Sequence, residues 1–365
     1  MTTTTPTRRS TDRSATARDA GLVGALWGRR LLALGVCLVA SVALAGSILL
    51  AVTFGPAPLS TTQVWGVLAQ HLGLGADVGV SRLQDAMVWD LRLPRTLLAA
   101  LCGAGLSVCG AVLQSLLRNP LAEPYLLGVS SGASTGAVAV IVLGVGMGSI
   151  GLSGGAFVGA LVAFAVMLGL AWAAGGTTDK VILAGIAVTQ MFSAITSFVV
   201  MVAADAETTR GVLFWLLGSL STASWTDVTL TAVVLALVLG VTFGSASALD
   251  AFAFGERAAA GLGISVTRTR AVLLIATALL TAVVVSSSGA IGFVGLVLPH
   301  IARMLVGPRH RRLLPTVALL GAVFLVWVDT LARTLLAPQE IPVGVVTAIV
   351  GVPVFTIVLI RRKRS

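Results

Sequence analysis

Apolar residues in this chain run in blocks of about twenty, separated by short connections that carry most of the charge. A helix rises about 1.5 Å per residue, so such a block covers the roughly 30 Å of a bilayer's hydrocarbon core. By that criterion the pattern predicts ten membrane-crossing helices, near residues 31–53, 95–116, 124–143, 151–173, 181–203, 226–243, 268–287, 291–306, 314–335 and 342–360. The eighth is interrupted by Pro299, His300 and Arg303. Several blocks are rich in Gly, Ala and Ser, notably 101–110 and 128–136. Small residues let helix backbones approach closely where lipid supplies no hydrophobic drive.

Composition agrees with this reading. Of the 365 residues, 57% are hydrophobic and 10% charged, against about a quarter charged in an ordinary soluble domain. The net charge of +10 does not signal nucleic acid, because the basic residues sit between apolar blocks rather than on a polar domain. Their distribution sets orientation instead. With the N-terminus inside, 19 of the 24 lysines and arginines fall in inner segments, and only Arg82, Arg92, Arg95, Arg210 and Arg333 fall outside. Both termini are then cytoplasmic, which requires an even number of spans. Residues 1–30 begin polar, Thr-rich and basic and read as a disordered inner tail, with the spanning domain at 31–361. The chain is therefore expected in the inner (plasma) membrane, in contact with lipid. Two groups of five spans are compatible with an inverted repeat, but the two halves show no persuasive sequence match.

The chemistry is sparse. Cys37, Cys102 and Cys109 all lie in apolar blocks, and the last two are about 10 Å apart along a helix, too far to bridge, so they read as small apolar residues. His71, His300 and His310 lie in different segments, and no catalytic constellation, metal-ligand spacing or cofactor motif is visible. Neither lysine, Lys180 or Lys363, sits in a phosphate-binding loop, so ATP hydrolysis would have to come from another polypeptide. An ion-coupled secondary carrier is the alternative, but its usual mid-membrane acids and histidines are nearly missing. A passive channel would need a selectivity element, and the chain offers no candidate. Asp329 lies one turn before Arg333 and reads as a self-neutralising pair.

Five strings carry a resemblance: LRLPRTLLA at 91–99, QSLLRNPLAEPYLLGVSSGAS at 114–134, GERAAAGLGI at 255–264, GAIGFVGLVLPHIAR at 289–303 and IPVGVVTAIVGVPVF at 341–355. In this order they resemble the FecCD family of permeases, which import iron siderophores, haem and cobalamin. The resemblance implies an all-α subunit of about ten transmembrane helices with type II ABC importer architecture. It implies a second copy or close paralogue, two ATP-binding subunits below and a substrate-binding protein on the outer face. Residues 250–267 then look like the loop that couples to the ATPase, with Glu256, Arg257, Gly261, Leu262 and Gly263 as its contact. Thr177 and Thr178 align with the inner gate, and Arg92, Arg95 and Arg333 look like sockets for acidic knobs on the binding protein. From the residues themselves, 256–261 reads as a short helix stopped by glycine, with a second short helix from about Ser265. Arg92 and Arg95 flank Pro94 and are expected to snorkel to the surface.

Overall fold

The computed structural model describes residues 10–55, 59–74, 79–146 and 151–362, and these are helices and turns with no strand among them. Seven helices are long and apolar enough to cross a membrane: Leu31–Thr53, Arg82–Leu116, Gly151–Ala173, Thr178–Ala203, Trp225–Gly244, Val266–Ser288 and His310–Thr334. Three shorter apolar helices, Val129–Leu143, Val294–Val306 and Val343–Ile357, complete the ten blocks of the sequence pattern. They are called the first to tenth spans below, in chain order.

The second span is the axis of the fold. It packs against the sixth, seventh, eighth and ninth spans, and the ninth in turn packs on the first. Its most apolar window is 89% buried inside the protein, against 22% for the first span, which faces outward. Small residues make this possible. A Cβ at Gly103 would lie 2.1 Å from the Gly321 carbonyl oxygen, and one at Gly110 would lie 1.9 Å from that of Gly295, so backbone meets backbone at both crossings. The third and fourth spans cross the same way, with Gly132 against Gly159 and Gly136 against Gly155.

Two expected boundaries move for local reasons. The second span begins thirteen residues before Arg95, at Arg82, and passes through a π-helical turn at Met87–Arg92. Pro94 follows that turn; it has no N–H to donate back along the helix, and the wider turn accommodates the gap. The first helix runs from Ser10 to Thr53, so residues 10–30, expected to be an unstructured tail, are helical; residues 1–9 lie outside the described part.

The third and eighth spans are short because both start inside the protein. Pro124–Leu127 forms a 3-10 turn before the third span, and Pro124 packs against Gly295 at the start of the eighth. The Tyr125 hydroxyl donates to the Ile291 carbonyl at 2.7 Å and accepts from the Ile291 N–H at 2.7 Å. One side chain thus satisfies both polar groups of a non-helical residue. Irregular backbone at membrane depth is tolerated where protein encloses it in this way. At 13 residues the eighth span is about 20 Å long, short of the hydrocarbon thickness by a third. Pro299 lies within it, as the sequence indicated.

Candidate functional site

Polar residues gather at the two ends of the second span, Arg92, Arg95 and Thr96 at one and Gln114, Ser115 and Arg118 at the other. Nineteen residues separate Arg95 from Gln114, or about 29 Å of helix, so the clusters lie on opposite faces of the protein.

At the first end, Arg95 joins two other segments. Its Nε donates to both oxygens of Asp329 at 3.0 and 3.2 Å, its Nη2 lies 3.0 Å from Asp329 Oδ1, and its Nη1 donates to Glu340 at 2.8 Å. Arg333 Nη2 donates to the Ala51 carbonyl at 2.8 Å, and its Nε sits 3.7 Å from Asp329. Arg92 Nη1 donates to the carbonyls of Val52 and Thr53 at 3.3 and 3.1 Å, the last C=O groups of the first span. These carbonyls lack helical donors, which makes them natural arginine partners. Asp329 and Arg333 do pair, as the sequence suggested, but the tighter partner is Arg95, 234 residues away.

The expectation that Arg92 and Arg95 snorkel to the surface is corrected here. All three arginines are buried, Arg95 against Asp329 and Glu340, and Arg92 and Arg333 against the last carbonyls of the first span. The Asp329 side chain is 1% exposed, so low dielectric and several hydrogen bonds replace water around the pair. Together with Gly55, Ser221 and Glu340 the arginines line a cavity of about 280 Å³. Three guanidinium groups face two carboxylates there, leaving one net positive charge.

The opposite end holds the second group of expected residues. Glu256–Gly261 is a short helix, as read from the sequence, but no second short helix follows it; Ser265 is the N-cap position of the long seventh span, which begins at Val266. A different short helix, Ala246–Phe252, precedes it. The turn geometry lies at Gly255 and Gly263, with φ of 98° and 82°, and not at Gly261, which ends the helix in open space. Arg257, Gly261, Leu262 and Gly263 are exposed, with Phe254 at 82% and Leu262 at 72%.

Glu256 points the other way. Its Oε1 accepts from Thr178 Oγ1 at 3.1 Å and pairs with Arg270 Nη2, while Arg270 Nη1 donates to the Gly176 carbonyl at 2.9 Å. Gly176 and Thr178 flank Thr177, the N-cap position of the fifth span. The loop and the turn, separate in the sequence, are therefore one hydrogen-bonded unit closed by Arg270, one of the basic residues of the inner segments. The 94-residue separation of Arg270 from Gly176 left no local signal.

A third group, beside the second, was not legible at all. His310 Nε2 lies 2.7 Å from Ser115 Oγ, and its Nδ1 lies 2.6 Å from Asp250 Oδ1. Asp250 also accepts the His310 backbone N–H at 2.9 Å, capping the ninth span from another helix. Burial pushes the Asp250 carboxyl up, but its bonds to His310 and the charges of His310 and Arg309 outweigh this and hold it below the usual carboxylate range. Arg303 donates to the Gln114 side chain and to the Ala111 carbonyl, and among the described residues it is in no ion pair.

Cys102 and Cys109 are buried, as expected, while Cys37 is half-buried against Thr316. Comparison with known proteins accounts for the architecture. The model of the FecCD transport family matches residues 39–361. An ABC transporter permease of Bacillus subtilis, YvrB, is 40% identical over 88% of this chain and 92% of its own length. The cobalamin import permease BtuC of Halobacterium salinarum is 41% identical over 82% of this chain and 80% of its own. The iron(3+)-hydroxamate import permease FhuG of Bacillus subtilis is 36% identical over 84% and 89%. A solved structure described as an inward-facing conformation of a metal-chelate type ABC transporter superposes with a TM-score of 0.79 at 29% identity, covering 90% of this chain and 99% of that one. With the family match spanning nearly all of the helical bundle, the chain belongs to the FecCD transport family, as a permease of the ABC-importer type.

Proposed function

We propose that this permease carries an iron–siderophore or similar metal-chelate complex into the cytoplasm by alternating access. Relatives named for iron hydroxamate and for cobalamin, and a structural neighbour of metal-chelate type, support the substrate class. In this reading the chain lies in the plasma membrane with both termini inside and pairs with a second copy or paralogue. Two ATPase subunits drive it from the Glu256 face. The exposed Arg257, Gly261, Leu262 and Gly263, with Phe254, form the ATPase contact. A substrate-binding protein docks at the Arg92, Arg95 and Arg333 face, its carboxylates meeting the net positive cavity.

The observation that carries this reading is the link from Glu256 and Arg270 to Gly176 and Thr178. Displacement of the short helix by an ATPase pulls on the turn at Thr177 and Thr178, proposed as the inner gate, through charge-assisted bonds rather than through a loose loop. The test is Glu256→Gln in the permease reconstituted with its ATPase and binding protein. Glutamine keeps an acceptor but loses the charge, and because the Glu256 side chain is 40% exposed the weakened ion pair costs about 1 kcal/mol or less, roughly fivefold at most in an equilibrium. Uptake is expected to fall by up to that factor while ATP hydrolysis persists. An unchanged ratio of substrate moved to ATP hydrolysed would show that the link transmits nothing.

A further inference from the structure

A cavity lies at the end of the protein away from Asp329, where the second, eighth and ninth spans meet the short Ala246–Phe252 helix. It measures about 550 Å³ and is lined by Arg118, Arg303 and Arg309, with Asp250 as the one carboxylate in its wall. Asp250 is already engaged by the ring and backbone nitrogens of His310. Arg303 belongs to an apolar helix and uses two of its five N–H groups, on Gln114 and Ala111. Its Nε is not sealed in protein without a partner. Arg118 stands in the left-handed region, with φ of 48°, at the turn that ends the second span. Its guanidinium lies near Gly255, at the entrance to the short helix 256–261. Pro120, Ala253, Phe254 and Pro308 complete the wall with apolar surface.

Topology alone asks for basic residues on an inner surface, but not for three arginines lining one cavity, one of them in the last turn of an apolar span and not ion-paired, with the cavity's one carboxylate taken by His310. A basic pocket between transmembrane helices suits an anionic headgroup, and planar guanidinium groups lining one cavity suit the oxygens of a phosphate. We propose that this cavity is a binding site for a phosphate-bearing anion, held by Arg118, Arg303 and Arg309, with the carbon framework of the ligand against Phe254 and the two prolines. The anion supplies the counter-charge that Arg303 lacks, and through Arg118 and Gly255 it stiffens the root of the proposed ATPase contact. The site itself does not depend on that contact. Only the identification of this face as cytoplasmic, and hence the source of the ligand, rests on the proposed orientation.

The same chemistry is offered by a phosphatidylglycerol headgroup and by free phosphate, and the two are separable. The full-length permease, purified in detergent without any ATPase, is examined by native mass spectrometry with phosphatidylglycerol or phosphatidylcholine, and by thermal melting with inorganic phosphate or chloride at matched ionic strength. Arg118→Gln with Arg309→Gln is the informative variant, because both side chains are exposed and neither change disturbs Arg303 or its partners. Preferential retention of phosphatidylglycerol, falling about tenfold or more in the variant, establishes a lipid site. A saturable melting shift with phosphate but no lipid preference, lost in the variant, establishes a soluble ligand. If the well-folded wild-type protein shows neither, or if the variant binds as the wild type does, the proposal is overturned. Failure of the permease to transport with an ATPase would leave these readouts unaffected.

Discussion

Asp329 shows what a single buried carboxylate does in this fold. It faces Arg95 and Arg333 at once, and its side chain is almost wholly enclosed. Removing one partner of a buried ion pair strands the other charges, at a cost of about 3–5 kcal/mol. Asp329→Asn is therefore expected to lower the melting temperature or folded yield sharply. Glu340→Gln should cost about 1 kcal/mol or less, because the Glu340 side chain is 30% exposed and water can replace it. Equal melting of the two variants would mean that the cluster is not the electrostatic unit described. The same geometry decides how docking is best tested. Changing Arg95 or Arg333 would unbalance Asp329 and confuse folding with binding. Arg92 bonds to backbone carbonyls, and a glutamine there keeps a donor for them. Arg92→Gln is expected to slow association of the substrate-binding protein several-fold at low salt, with little change in melting. Association at the wild-type rate in a stopped-flow measurement would remove Arg92 from the docking surface.

At the scale of the helices, glycine sets the spacing. Gly110 and Gly295 bring the second and eighth spans to backbone contact, and a methyl group at Gly110 has no space to occupy. The helices must separate or rotate to accept it, a rearrangement that costs about 1–3 kcal/mol or more in a packed interior. Gly110→Ala should thus reduce folded yield in detergent. Gly169→Ala, on the fourth span where a Cβ meets nothing within 4 Å, should be neutral or slightly stabilising. If size-exclusion profiles and melting curves of both variants match the wild type, the close crossing is absent. The short eighth span follows from the same contact. Its start is enclosed by the second span and by Tyr125, which supplies the hydrogen bonds that lipid could not.

For the whole molecule, the polar clusters divide cleanly between two ends. Arg92, Arg95, Asp329, Arg333 and Glu340 share one end, and Arg118, Thr178, Asp250, Glu256, Arg270 and His310 share the other. In the orientation proposed from the charge bias, the second end is cytoplasmic. A cysteine at Leu262, which is exposed, should then resist a membrane-impermeant thiol reagent in intact cells and react after permeabilisation. A cysteine at Leu336, exposed at the Arg333 end, should react in intact cells. The reverse pattern would invert the topology and with it the assignment of the ATPase and binding-protein faces.

The class of the protein, the ten apolar blocks and the small-residue crossings could be read from the chain alone. Span length and composition are properties of consecutive residues, and a bilayer imposes one length on all of them. Glu256–Gly261 as a short helix was equally local, marked by its flanking glycines. Tertiary structure decided how the charges pair. That Arg95 turns inward to Asp329 rather than outward to solvent depends on a residue 234 positions away. The joining of Glu256 to Thr178, and of His310 to Ser115 and Asp250, likewise crosses 60 to 195 residues. No periodicity or spacing encodes such partners. They are chosen when packing removes water from polar groups and each must find the nearest group that satisfies it, which only the folded arrangement of spans defines.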